Sequence, residues 1–126
     1  LYLPPGARCQ LTRARAGPKL VLVMDRIAML RQFLEENPND AFARYGLAME
    51  YSKAGETGTA LEHFAILLKA NPDYTAGYFM AAQTLNNAGR VEEAKQMLRD
   101  GIASATRTAN AHARSEMEAM LEELER

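Results

Sequence analysis

The chain has no tryptophan, one cysteine, two histidines and almost no net charge, and each shortage removes a class of function. Cys9 alone cannot close an internal disulfide, and with only His63 and His112 beside it no Cys/His set has zinc-ligand spacing. The same scarcity leaves no Ser/His/Asp or Cys/His grouping that could activate a nucleophile. Lys and Arg total 15 against 16 Asp and Glu, a formal net charge of -1, so the basic excess that phosphate backbones call for is missing. Long apolar runs are missing too. The longest near the start, Leu20-Val21-Leu22-Val23-Met24, cannot span a bilayer and is short for a secretory signal. The expectation is a protein without catalytic residues, cofactor or metal, without nucleic-acid binding or membrane insertion. The single cysteine fits a reducing, cytoplasmic setting.

What the chain does have is enough apolar substance for one core. It holds 126 residues, of which 48% are hydrophobic, and a globule of this size buries roughly two thirds of its unfolded surface. Charge is unevenly spread. Residues 1–23 carry Arg8, Arg13, Arg15 and Lys19 and no acid, while all 16 acidic residues follow. Pro4-Pro5-Gly6 and Gly17-Pro18 punctuate that first segment against regular structure, and it has no helical apolar period. The chain opens on Leu1, and Met24 is followed at once by a strongly periodic helix. Residues 1–23 are therefore expected to be a disordered or non-native extension with Met24 as the true start, the alternative being a basic arm for an acidic partner or membrane surface.

From residue 24 onward the sequence repeats itself at a shift of 34 residues. Asn37-Pro38 falls on Asn71-Pro72, Ala54-Gly55 on Ala88-Gly89, and Ala60 on Ala94. Leu30, Phe64 and Leu98 share one register position, and Leu34, Leu68 and Ile102 another. Each period holds two helical stripes. Leu47, Ala48 and Tyr51 make one over 41–54; Ala60, Leu61, Phe64, Leu67 and Leu68 make the other over 57–70. Gly55 can close the first helix in a left-handed conformation, and Pro72 ends the second. The next pair is expected over 75–88 and 91–103, split by Gly89.

This pattern resembles the tetratricopeptide repeat. The large–x2–Leu–Gly–x2–Tyr, Ala–x3–Phe, Pro signature reads here as Arg44-x2-Leu47-Ala48-x2-Tyr51, Ala60-x3-Phe64 and Pro72. The second copy reads Tyr78-x2-Ala81-Ala82-x2-Leu85 and Ala94-x3-Leu98. Arg44 departs from the usual aromatic, and Thr106 stands where the closing proline is expected. The resemblance implies an all-α fold, a short right-handed α-solenoid of antiparallel helix pairs with about six helices. Its parts over 24–126 are a half repeat at 25–38, repeats at 41–74 and 75–108, and a capping helix at 110–125. The half repeat would pack through Ile27, Leu30, Phe33 and Leu34, and the cap through Ala113, Met117, Met120, Leu121 and Leu124. The small residues Ala48, Ala60, Ala82 and Ala94 would let helix backbones approach closely.

His63 and His112 are expected on the surface. Gly55-x2-Gly58 reads as an inter-helix turn, since no strand precedes it to build a phosphate cradle. Glu35-Glu36, Glu92-Glu93 and Glu122-Glu123 read as solvated helix surface. More informative are Phe42, Tyr45 and Met49, a second apolar face on the helix over 41–54. In the family that face lines a concave groove. The resemblance therefore implies a partner-binding groove of Phe42, Tyr45, Met49, Lys53, Phe79, Met80, Gln83 and Asn87, with Met117 at its end. Aromatics and methionine suit such contacts. The expected function is an adaptor or scaffold binding a protein or peptide segment; the alternatives for the face are self-association, as in a homodimer or larger assembly, and ordinary packing. Tyr45, Met49 and Met80 occupy positions where chaperone-tail-binding relatives grip a carboxylate with Lys and Asn. An apolar wall cannot supply that grip.

Overall fold

The computed structural model describes residues 18–126, and the first 17 residues of the expected extension lie outside the described residues. Six helices follow one another: α1 (Pro18–Glu36), α2 (Ala41–Lys53), α3 (Thr57–Ala70), α4 (Thr75–Asn87), α5 (Val91–Arg107) and α6 (Ala111–Glu125). Each packs on the next in the chain, and α2 also meets α4 while α4 meets α6. Alternate helices therefore share a layer: α2, α4 and α6 form the inner one. No described helix is long and apolar enough to cross a membrane.

The helix ends follow from the punctuation. Asp40 caps α2, its Oδ1 accepting from the Ala43 amide at 2.8 Å. Gly55 and Gly89 both take φ 79°, closing α2 and α4 where a side chain would be strained. Two boundaries differ from expectation. The helix expected from residue 25 begins at Pro18, because proline in a first turn has a preset helical φ and loses no hydrogen bond there. The helix expected to stop at 103 runs to Arg107. Thr106, standing in the proline slot, keeps its amide in the helix and turns its hydroxyl onto the Ile102 carbonyl at 2.8 Å.

That extra turn shifts the repeat. The inner-layer helices start at Ala41, Thr75 and Ala111, spacings of 34 and then 36 residues. Two more residues rotate α6 by roughly 200° about its axis relative to a strict repeat. The turn before it is closed by Ala109 at φ 54°, with Ala109 and Asn110 amides donating to the Thr106 and Ala105 carbonyls. Glycine does this job in the two earlier turns made by Gly55 and Gly89.

The core runs between the layers. Ala48, Ala60, Phe64, Leu67 and Ala81 form one buried cluster across α2, α3 and α4. Tyr78, Ala82, Leu98, Ala105 and Met117 form a second across α4, α5 and α6. Leu34, Ala43 and Leu47 join α1 to α2. Ala48, Ala60, Ala82 and Ala94 are fully buried. Phe33, expected in the core, is 45% exposed, so the outer face of α1 is less covered than its apolar stripe suggests.

Candidate protein-binding groove

The groove face is built on α2 and α4, whose equivalent residues lie 34 apart. Phe42, Met49 and Lys53 recur on one face of α2, and Gln83 and Asn87 occupy the equivalent face of α4. Phe42 is 76% exposed, an unusual placement for a phenylalanine. Tyr45 and Met49 are half-buried, their inner edges against the Ala48, Phe64 and Ala81 cluster. The Tyr45 ring lies 5.4 Å from that of Tyr74, tilted by 45°. Burial and then the neighbouring Tyr74 push the Tyr45 hydroxyl above its usual range, so it stays a neutral donor. Phe79 and Met80 are half-buried beside the two core clusters. Gln83 is half-buried and Asn87 exposed.

A concave pocket of about 230 Å³ opens where α2, α4 and α6 meet. It brings together three of the expected groove residues, Tyr45, Phe79 and Met80, with Thr75, Ala76, Asn110, His112, Ala113 and Glu116. Phe42, Met49, Lys53, Gln83 and Asn87 do not line it and extend the face beyond it. The supports beneath are polar and ordered. Ser52 and Thr84 hydroxyls meet at 2.8 Å between α2 and α4, and Thr75 and Ser104 hydroxyls at 2.9 Å between α4 and α5. Tyr78 donates to the Pro72 carbonyl at 2.7 Å.

Met117 does not lie at the end of the groove. It is fully buried against Tyr78 and Gly101. The two-residue shift of α6 moves it from the slot equivalent to Gln83 into the slot equivalent to the buried Ala81. His112 and Glu116 take up the groove side instead, 2.7 Å apart. The strict 34-residue register could not reveal them; the missing proline at Thr106 was the only available sign.

His63 also departs from the surface placement expected of it. It is half-buried, stacked on Tyr51 with centroids 5.4 Å apart and planes within 7°. Its Nδ1 lies 3.2 Å from an Arg44 guanidinium nitrogen, whose second nitrogen donates to the Pro38 carbonyl at 3.1 Å. Arg44 thus fills the aromatic slot of the signature by tying α2 to α3. Burial first, and Arg44 second, hold the imidazole below its usual range. His112 is exposed as expected. The described residues contain no group of three or more His, Cys, Asp or Glu arranged to hold a metal ion.

Fold and face together define a short helical-repeat protein whose inner layer carries a half-open apolar pocket. The tetratricopeptide repeat profile matches residues 29–62 and, separately, 51–115. A TPR repeat-containing protein of Pseudomonas aeruginosa is 30% identical over 97 residues, covering 77% of this chain and 92% of that one. The chain belongs to the tetratricopeptide repeat family. Among solved structures, a tetratricopeptide repeat domain protein from Salinibacter ruber aligns at TM-score 0.66 and 28% identity, over 70% of this chain and 89% of that chain. PcrH from Pseudomonas aeruginosa aligns at TM-score 0.77 over 99% of this chain and 96% of its own, at 18% identity, a likeness of fold alone.

Proposed function

We propose that the chain is a non-enzymatic protein-interaction module, an adaptor or scaffold of the cytoplasm, that holds a short segment of a partner protein along the inner faces of α2, α4 and α6. The observation that carries this is the pocket of about 230 Å³ walled by Tyr45, Phe79 and Met80 and continued by the 76% exposed Phe42. Apolar surface of this kind marks interaction sites, and half-buried aromatics and methionine supply contact area from a supported base. PcrH, similar in fold, has been solved in complex with the chaperone binding region of PopD, which supports a protein segment as the kind of ligand. With two full repeats the groove suits a short segment better than a long wrapped one. The test is peptide display against the purified chain, followed by affinity measurement on the sequences it enriches. Tyr45→Glu and Phe79→Ser should each abolish capture while the helical circular dichroism persists. Undiminished capture by both variants would refute the groove.

Self-association is the second reading, and a separate observation favours it. Leu22, Met29 and Phe33 on α1 are 53%, 70% and 45% exposed, whereas Leu67, the repeat equivalent of Phe33, is buried to 1%. Light scattering decides it: a concentration-dependent dimer that is lost on Phe33→Glu supports assembly through α1, and a monomer at all concentrations removes it.

A further inference from the structure

The acidic residues of α6 are not equivalent. Glu118 pairs with Arg114 at 2.6 Å, Glu122 with Arg126 at 3.6 Å and Glu125 with Arg99 at 3.4 Å, so these three carboxylates are balanced within the chain. Glu116 faces the apolar pocket and, among the described residues, pairs with His112 alone, which is a cation only when protonated. Glu123 lies two turns further along the same stripe and has no cationic partner among the described residues. At the opposite edge Lys53, the one groove-side cation among the described residues, already sits 3.7 Å from Glu50, shared with Arg26. The groove thus has an apolar floor on α2 and α4, a far edge where two cations share one carboxylate, and an acidic wall on α6.

We infer that this groove selects partner segments in which an apolar anchor is accompanied by lysine or arginine. The inference rests on the groove reading and adds its specificity. The anchor fills the space between Tyr45, Phe79 and Met80, and the cation lies against Glu116 and Glu123. Charge complementarity of this sort sets which partner is accepted and how fast it arrives, more than how tightly it is held. An acidic or carboxylate-terminated segment meets the same wall as repulsion.

The test uses the full chain and three labelled synthetic peptides, identical except that the residues flanking a Leu-Phe anchor are Arg, Gln or Glu. Fluorescence polarisation at low salt should rank them Arg, Gln, Glu, with the Arg peptide tighter than the Gln peptide by about three- to tenfold, the worth of one or two exposed ion pairs. The advantage should shrink as salt is raised. In the variant carrying Glu116→Lys and Glu123→Lys the order should reverse. If all three peptides bind equally, and all weaken on Phe79→Ser, the groove stands and the charge inference falls. If none binds, or binding ignores Phe79→Ser, both fall. A dimer by light scattering that dissociates in the double-lysine variant would give the groove to a second copy of the chain and overturn the inference.

Discussion

Truncating Met117 separates two accounts of α6. Strict repetition puts this side chain at the end of the groove; the structure seals it between α4, α5 and α6, fully buried. Met117→Ala should therefore leave a cavity and cost about 2–5 kcal/mol. For a domain of this size each kcal/mol lowers the melting temperature by roughly 4 °C. Urea unfolding reads the loss directly, as a lower midpoint with an unchanged slope. Peptide affinity per folded molecule should stay the same. A surface methionine would behave in the opposite way, with a stability change within about 0.5 kcal/mol and weakened binding. That outcome would refute the buried placement and the two-residue shift behind it. A partner substitution tightens the test. A Cβ added at Gly101 would lie 2.5 Å from the Met117 sulfur and 2.7 Å from Tyr78 Cβ, so Gly101→Ala should cost about 1–3 kcal/mol by overpacking. In the Met117→Ala background part of that clash disappears, and the double variant should lose less than the sum of the singles. Strict additivity would mean the two residues do not touch.

Ala109→Gly should raise stability by about 0.5–1 kcal/mol, left-handed strain of about 1–2 kcal/mol being released against a gain in unfolded-state freedom of about 0.4–1 kcal/mol; a lower urea midpoint would contradict the positive φ of 54°. His63 has its folded pKa depressed below 6.5 by burial and then by Arg44, so the unfolded chain takes up a proton first as pH falls. Its contribution is complete above about pH 6.5 and is lost as pH drops through the folded value; urea midpoints measured from neutral to acid pH should show this slope, and His63→Gln should flatten it. Phe42→Ser should leave stability within about 0.5 kcal/mol, since the ring is 76% exposed, yet weaken a groove-binding peptide several-fold by polarisation; a large stability loss would mean the ring is packed.

The legible parts of the fold are those where punctuation and period agree. Gly55, Pro72 and Gly89 bracket α2, α3 and α4, and those helices start and stop within a residue or so of expectation. The start of α1 was hidden because Gly17-Pro18 reads as a breaker, although a proline in a first turn begins a helix as readily as it ends one. The continuous apolar run after it carries no period to count. His63 shows a different limit. A polar residue off the apolar stripe is assigned to water by pattern alone, but Arg44 and Tyr51 together build it a half-buried place. Tyr45 and Phe79 line one pocket because they are 34 residues apart and that spacing holds between α2 and α4. His112 and Glu116 could not be found from it, because it fails before α6.

That failure carries a chemical consequence. Had α5 ended at a proline, α6 would start two residues earlier and present Met117 to the groove, making the floor apolar from end to end. With Thr106 in that place the helix keeps its amide hydrogen bond and runs to Arg107. α6 then turns its methionine into the core and brings Glu116 round to the pocket. Glu116 thus lines the pocket in a register that follows from a helix extended past position 106, away from the pocket itself. Stability and specificity are coupled through one register: the rotation that fills the cavity beside Gly101 is the rotation that faces a carboxylate toward the Tyr45, Phe79 and Met80 wall.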